Sequence, residues 1–198
     1  MQLSALAMAP TSDAAFAASG SHLCRADLNA QTWREVPLAW ASVNAAPAEV
    51  TSLAVDSLSD SLYIGASDGL FQLRGNTLTR AGDGLLDGAL VSQVVISRAN
   101  PQAVYAASER GLFSLNVDGH WARVQSGSVP VHQLVETTGG VLAATGSNGL
   151  YRSLDGGRSW NNLLDAVGLQ PGVILDVTAL TADPRDAGVI YAATGTWA

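Results

Sequence analysis

The residues of this 198-residue chain best spaced to act together are Ser153, Asp155, Gly157 and Trp160, within Gly-Leu-Tyr-Arg-Ser-Leu-Asp-Gly-Gly-Arg-Ser-Trp at 149–160. A carboxylate at Asp155 can accept backbone N–H bonds across its own turn, and Gly157 permits a positive φ there. Trp160 then folds back over the hairpin. That chemistry fastens a turn and breaks no bond. Two other carboxylates, Asp56 and Asp176, stand in or at the end of apolar runs, where a converging pair would suit glycoside hydrolysis. Asp56 and Asp183 also fall at loop positions where an Asp forms a turn. His22, His120 and His132 lack metal-ligand spacing, Cys24 is the lone cysteine, and no phosphate loop or dinucleotide fingerprint occurs, so neither metal nor cofactor is expected. Asp118-Gly119 and Asp155-Gly156-Gly157 resemble fragments of calcium loops but lack the run of acidic positions, and are read as hairpin turns.

The elements that position these side chains come from a repeat. Its unit is a small-residue strand, a polar turn and a second strand: Tyr63 to Leu73, Tyr105 to Leu115, and Leu142 to Ser153 with one extra turn residue. Phe16 to Arg25 is a degenerate copy, with His22, Leu23 and Cys24 in place of Gly-Leu-Phe, and Tyr191 to Thr194 opens a fifth. The copies start 47, 42, 37 and 49 residues apart, a mean near 44. That period, filled by four short strands, is the signature of a β-propeller blade, and the long 3.6-period stretches of helical repeats are absent. Apolar runs at 1–10, 50–56, 91–97, 131–136 and 174–180 supply the innermost strands. Shorter, more polar runs at 32–36, 77–81, 120–125 and 158–163 supply the outermost, which meet water. The predicted fold is therefore all-β, a propeller of four-stranded antiparallel blades. Its blades fall at about 1–40, 41–86, 87–127 and 128–168, with a partial blade at 169–198. About four and a half blades make an incomplete ring, read as a piece of a longer propeller of six or seven blades. Either the remaining blades of the same chain or a second copy would close it.

With 47% hydrophobic residues the chain can bury a sizeable core, and 20 glycines suit many tight turns. The net charge of −7 argues against a partner made of nucleic acid, which needs a phosphate-neutralising surface. No apolar run is long enough for a membrane-spanning helix, so no membrane insertion is expected. Ala15-Phe16-Ala17 superficially fits a signal-peptidase site, but no basic segment precedes it and Pro10 to Asp13 interrupt the apolar run. Residues 1–17 are read as the first strands of a blade. Cys24, in a strand, is expected to be a small buried hydrophobe.

Ser-Leu-Asp-Gly-Gly-Arg-Ser-Trp at 153–160 matches the Asp-box pattern Ser-x-Asp-x-Gly-x-Thr-Trp, with Ser159 for Thr. The chain thus resembles Asp-box (BNR-type) β-propellers, which include sialidases, xyloglucan-degrading hydrolases, sortilin-type receptors and Ycf48-like assembly factors. The rhythm extends over nearly the whole chain, but only one box is good. Turns at Asn116 to Trp121 and Asp27 to Trp33 keep the Trp and lose the spacing, and Arg74 to Thr77 keeps only a turn. The resemblance implies that the box lies between third and fourth strands, on the face opposite the ligand face, and is architectural. It also implies an extracytoplasmic location, which no segment of this sequence specifies. A sialidase would need three arginines gripping a carboxylate, with a Tyr nucleophile. Here Arg74 and Arg152 follow third-strand positions, and Arg80, Arg123 and Arg158 fall in outer strands.

The loops between second and third strands share the face away from the box. They place His22, Asp68, Glu109, Arg110 and Asn148 around one rim, with the connection 82–90 beside them. The preferred function is a non-catalytic scaffold binding a protein or glycan partner on that rim. The alternative is a fragment of a sialidase-like or xyloglucanase-like glycoside hydrolase, with catalytic residues in other blades.

Overall fold

The structure is a computed structural model that describes residues 2–9, 12–40, 47–56, 58–124, 130–138, 140, 142–146, 149–163 and 175–196. Strands and turns make up these residues, with no helix among them. The first blade is β1 (Ala5–Met8), β2 (Ala14–Ser19), β3 (His22–Asp27) and β4 (Thr32–Val36). The second is β5 (Val50–Asp56), β6 (Ser61–Ala66), β7 (Gly69–Arg74) and β8 (Thr77–Ala81). The third is β9 (Val91–Ile96), β10 (Val104–Ser108), β11 (Gly111–Leu115) and β12 (Trp121–Arg123). The fourth is β13 (Val131–Glu136), β14 (Leu142–Gly146), β15 (Gly149–Ser153) and β16 (Asn161–Asn162), and β17 (Leu175–Ala182) with β18 (Ile190–Thr196) forms a two-stranded sheet. Within each sheet the order follows the chain and all pairing is antiparallel. This is the all-β propeller architecture, an incomplete ring of four blades and part of a fifth. β1 and β2 are strands of the first blade, so the stretch that superficially fits a leader is built into the sheet.

Burial is greatest at the second strands of the middle blades and least at the outermost, while the innermost strands β5, β9 and β13 mix buried with more exposed residues. All six residues of β6 and all five of β10 are buried, because each second strand is covered on both faces by neighbouring blades. β4 is exposed along nearly its whole length. Along each strand, alternate residues then serve different seams. In the second blade Leu62, Ile64, Phe71 and Leu73 pack with the first blade, while Ala54, Tyr63 and Leu70 pack with the third. Tyr105, Ala107 and Leu112 of the third blade pack with Val131 and Leu134 of the fourth.

The register corrects one alignment. Gly146 pairs with Gly149 as Ser108 pairs with Gly111 and Ala66 with Gly69, so the fourth blade's hairpin is as short as the others. There is no extra residue: Ala143, not Leu142, stands at the Tyr105 position, and Leu142 takes the place of Val104. Gly69 opens its strand at φ +135°, where a Cβ would lie 3.1 Å from the Leu86 carbonyl oxygen, so this hairpin requires glycine. Two outer strands are shorter than the sequence suggests. β12 starts at Trp121, since His120 closes the turn by bonding to Asn116, and β16 starts only after the box turn ends at Trp160.

Among the described residues neighbouring sheets share no backbone ladder, and polar side chains tie them together. At bulged positions of the innermost strands, Ser52 Oγ accepts from Val94 N at 3.0 Å and Gln93 Oε1 accepts from Leu134 N at 2.6 Å. Gln133 accepts from Leu180 N at 2.7 Å and donates to Leu180 O at 3.1 Å. The bulge rotates one polar side chain out of the apolar alternation and aims it at the next blade's backbone. Thr51 and Ser92 add hydroxyl bonds to the carbonyls of Val91 and Val131 at 2.5 and 2.9 Å.

Glu136, only 6% exposed, joins the third and fourth blades by accepting from Ser97 Oγ at 2.5 Å and Arg98 N at 2.6 Å. Replacing a buried acceptor with a group that leaves its donors unpaired costs about 1–3 kcal/mol. Glu136→Leu is therefore expected to lower the unfolding free energy by that amount, read as a lower urea midpoint with an unchanged m-value. An unchanged midpoint would remove the clamp from the account.

Candidate functional site

The Asp box is a closed hydrogen-bonded turn. Ser153 Oγ donates to Asp155 Oδ1 at 2.8 Å and accepts from Gly157 N at 2.7 Å. Asp155 accepts from Ser159 N at 2.9 Å and from Ser159 Oγ at 2.7 Å, so the serine closes the turn with both its amide and its hydroxyl. Trp160 Nε1 donates to the Gly157 carbonyl at 3.0 Å. The turn also reaches the preceding blade, because Tyr105 Oη donates to the Gly156 carbonyl at 2.5 Å and Trp160 packs into the cluster of Tyr105 and Val131. The box is therefore a joint between the third and fourth blades. Its counterparts work similarly: Trp121 is buried and meets Tyr63 of the second blade edge-to-face at 6.2 Å. Trp33, on a face of the first blade against which no described sheet packs, is 55% exposed. Cys24, expected to be buried, is only half-buried for the same reason.

Donors around Asp155 hold its carboxyl far below the usual carboxylate range, the Ser159 hydroxyl first among them. Asp83 is lowered chiefly by the Trp121 amide, and Asp183 chiefly by the Arg185 amide. These groups remain ionised in the folded chain while the unfolded chain takes up protons near the ordinary value of 3.8. Their contribution to stability is complete above that value and is lost as pH falls through the lower folded values. The melting temperature should therefore drop between pH 5 and pH 3 in calorimetry, and drop less in Asp155→Asn; identical slopes would contradict this.

The sequence-derived rim residues have specific surroundings. Asp68 is 5% exposed, with Arg80 Nη2 bonded to its Oδ2 at 2.8 Å and Arg80 Nη1 to its carbonyl at 3.0 Å. That pair fixes the hairpin and presents little carboxylate to a ligand. His22 is exposed and 3.0 Å from Glu35 Oε1. Glu109 and Arg110 are exposed and grip the connection 82–90: Leu90 N donates to Glu109 Oε1 at 3.2 Å, and Arg110 Nη1 to Leu85 O at 3.1 Å. Asn148 lies outside the described residues. The structure thus brings Glu109 and Arg110 together with Leu85 and Leu90, which are 43% and 41% exposed. Those leucines escaped the sequence reading, although their place beside a charged hairpin was the available signal.

Of the two carboxylates that could form a catalytic pair, Asp56 is engaged in a turn. Asp56 is buried and accepts from Leu58 N at 2.9 Å and Ser59 Oγ at 2.5 Å, as a turn-forming Asp does. Asp183 accepts from Arg185 N and Asp186 N in the same way. The Asp176 side chain lies outside the description. Burial pushes the Tyr63 and Tyr105 phenols up, the opposite of an activated nucleophile. No group of three or more His, Cys, Asp or Glu side chains able to hold a metal ion occurs among the described residues. A cleft of about 580 Å3 runs on the box side between the third and fourth blades, along Tyr105, Arg123, Gly157 and Arg158.

No protein-family model matches the sequence, and no curated protein matches it. Solved structures do. The chain superposes on an ancestral GH74 enzyme with a TM-score of 0.76 and 16% identity, covering 98% of this chain and 28% of that one. It superposes on the GH74 xyloglucanase of Xanthomonas campestris with a TM-score of 0.72 and 17% identity, covering 97% of this chain and 35% of that one. A Ycf48 structure bound to a D1 peptide gives 0.59 and 13%, covering 95% of this chain and 60% of that one. The chain therefore spans about a third or less of the GH74 proteins it matches. At these identities the likeness establishes the fold, the β-propeller of which Asp-box proteins are examples. No helix of the described residues is long and apolar enough to cross a membrane.

Proposed function

We propose that this chain is a non-catalytic β-propeller scaffold that binds a protein or glycan partner on the rim formed by the hairpins between second and third strands. The observation that carries this reading is the division of labour among its polar groups. Box and turn carboxylates are spent on hydrogen bonds within the fold, whereas His22, Glu109 and Arg110 stand exposed on the hairpins of the opposite face. A surface already braced by its own hydrogen bonds loses little entropy when a partner docks. A propeller fold is compatible with either class, since GH74 proteins are enzymes and Ycf48 has been solved with a peptide bound.

The test has two arms. The chain is incubated with aryl glycosides and xyloglucan, and the immobilised chain is probed with peptide and glycan arrays. The scaffold reading expects no release of aryl alcohol or reducing sugar above buffer, and binding that weakens in Glu109→Ala with Arg110→Ala. Turnover that disappears in Asp56→Asn would replace it with the glycoside hydrolase.

A further inference from the structure

We infer that the seam between the first and second blades carries, at its box-side end, a pocket for one small uncharged aromatic molecule about the size of indole. The pocket lies on the face away from the rim, so it stands whether or not the rim holds a partner.

The register identifies what each seam places there. Phe16, Tyr63 and Tyr105 hold the same position of the second strand, three residues before its last. In the outer strand Trp121 stands opposite Leu115 and Leu78 opposite Leu73. Trp160 holds the same place in the fourth blade, since it precedes Asn161, the partner of Arg152. Between the second and third blades Trp121 meets Tyr63, and between the third and fourth Trp160 packs into the cluster that holds Tyr105. Those two tyrosines are consequently only 4% and 2% exposed.

Between the first and second blades the same two places are taken by Phe16 and Leu78. An indole is replaced by an isobutyl group, and the phenyl ring has no hydroxyl to bond the facing turn as Tyr105 bonds Gly156. The turn shrinks as well. Gly75 and Asn76 alone join β7 to β8, whereas residues 116–120 and 154–160 fill the turns of the third and fourth blades. Phe16 is left half-buried, beside a cavity of about 210 Å3 that Val55, Leu62 and Leu73 also line. An apolar cavity of about 150 Å3 takes up benzene, so this one has room for a fused bicyclic ring. The fold itself fills the corresponding space of the other two seams with one.

The lining also selects among small molecules. Arg25 and Asp60 line the cavity with opposite charges, and the adjoining cleft sets Asp13 and Asp27 beside Arg34. A charged ligand of either sign would meet its like as well as its opposite, which favours an uncharged one. The Arg25 guanidinium lies 5.9 Å from the Phe16 ring centroid, and both groups gain more from an aromatic neighbour than from an aliphatic one. Asn76, exposed in the turn, has an amide oxygen able to accept from an indole N–H.

The experiment is NMR titration of the 15N-labelled 198-residue chain with indole, and with cyclohexanol in parallel. Saturable shifts are expected at the amides of Phe16, Leu62, Leu73 and Asn76, with those of Tyr105, Leu115 and Trp121 in the filled seams unmoved. Cyclohexanol should bind several times more weakly, because it lacks the aromatic contacts. Leu78→Trp rebuilds the pairing of the other seams, so it should melt no lower than the parent and weaken indole binding about tenfold or more. Val55→Phe narrows the same cavity from the innermost strand and carries the same expectation for binding. Absence of saturable shifts in the parent would overturn the inference. So would shifts spread equally over all three seams, cyclohexanol bound as tightly as indole, or folded variants that bind indole as the parent does.

Discussion

Phe71→Ala should destabilise the chain by about 3–5 kcal/mol, the cost of emptying a large aromatic site in a packed core. Phe71 is fully buried at the seam between the first and second blades. Trp40, from the segment that follows the first blade, meets it edge-to-face at 5.0 Å and 88°. The Arg80 guanidinium lies over its ring, 4.9 Å from the centroid. Truncation therefore removes the contact that seats Trp40 and leaves Arg80, the brace of Asp68, without its ring. Phe71→Leu, which refills much of the space, should recover a large part of the loss. The check is chemical denaturation of both variants, and equal midpoints for alanine and leucine would show that packing is not what the ring contributes.

Gly157→Ala should cost about 2–5 kcal/mol, from two causes that act together. At φ +84° an added Cβ meets the backbone penalty of the left-handed region, about 1–2 kcal/mol. The same Cβ would also lie 2.9 Å from Tyr105 Cε1, and overpacking of this kind adds about 1–3 kcal/mol. The second cause is separable. In a double-mutant cycle with Tyr105→Ala, the Gly157 substitution should cost clearly less than it does against Tyr105, because the clash has no partner. Strict additivity would place the whole effect in the backbone and detach the Asp box from the third blade. Tyr105→Phe isolates the remaining link, since it deletes only the bond to the Gly156 carbonyl.

Much of the radial plan was legible because its signals are local. The runs at 32–36, 50–56, 77–81 and 131–136 are strands with those bounds, and the two outermost are more exposed than the two innermost, as blade packing requires. The sequence pattern also placed Asp155, Gly157 and Trp160 in one turn, since an Asx-type turn is set by residues within four positions of one another. What lay beyond reach was pairing between blades. Nothing near Tyr105 announces that its hydroxyl meets Gly156, 51 residues away. Nothing in Val-His-Gln-Leu distinguishes a solvated polar residue from Gln133 reaching Leu180. Period-two alternation reports which face a side chain takes, and a bulge breaks that rule at the very residues that tie the ring together. On the rim, the charged residues could be found by type, whereas the exposure of Leu85 and Leu90 depends on Leu86 and Ala89 having taken the inside.

All of these results depend on sheets that stand side by side and are tied through their innermost strands. Amide hydrogen exchange at Leu180, followed by NMR in the parent and in Gln133→Ala, tests that arrangement most directly. In the parent this amide donates to a side chain of the neighbouring blade, and it should exchange slowly. In Gln133→Ala its exchange should accelerate by an order of magnitude or more, about 1.4 kcal/mol for each tenfold, while Val94, held by Ser52, keeps its parental rate. A Leu180 amide equally protected in both proteins would mean that the blades are not joined as described.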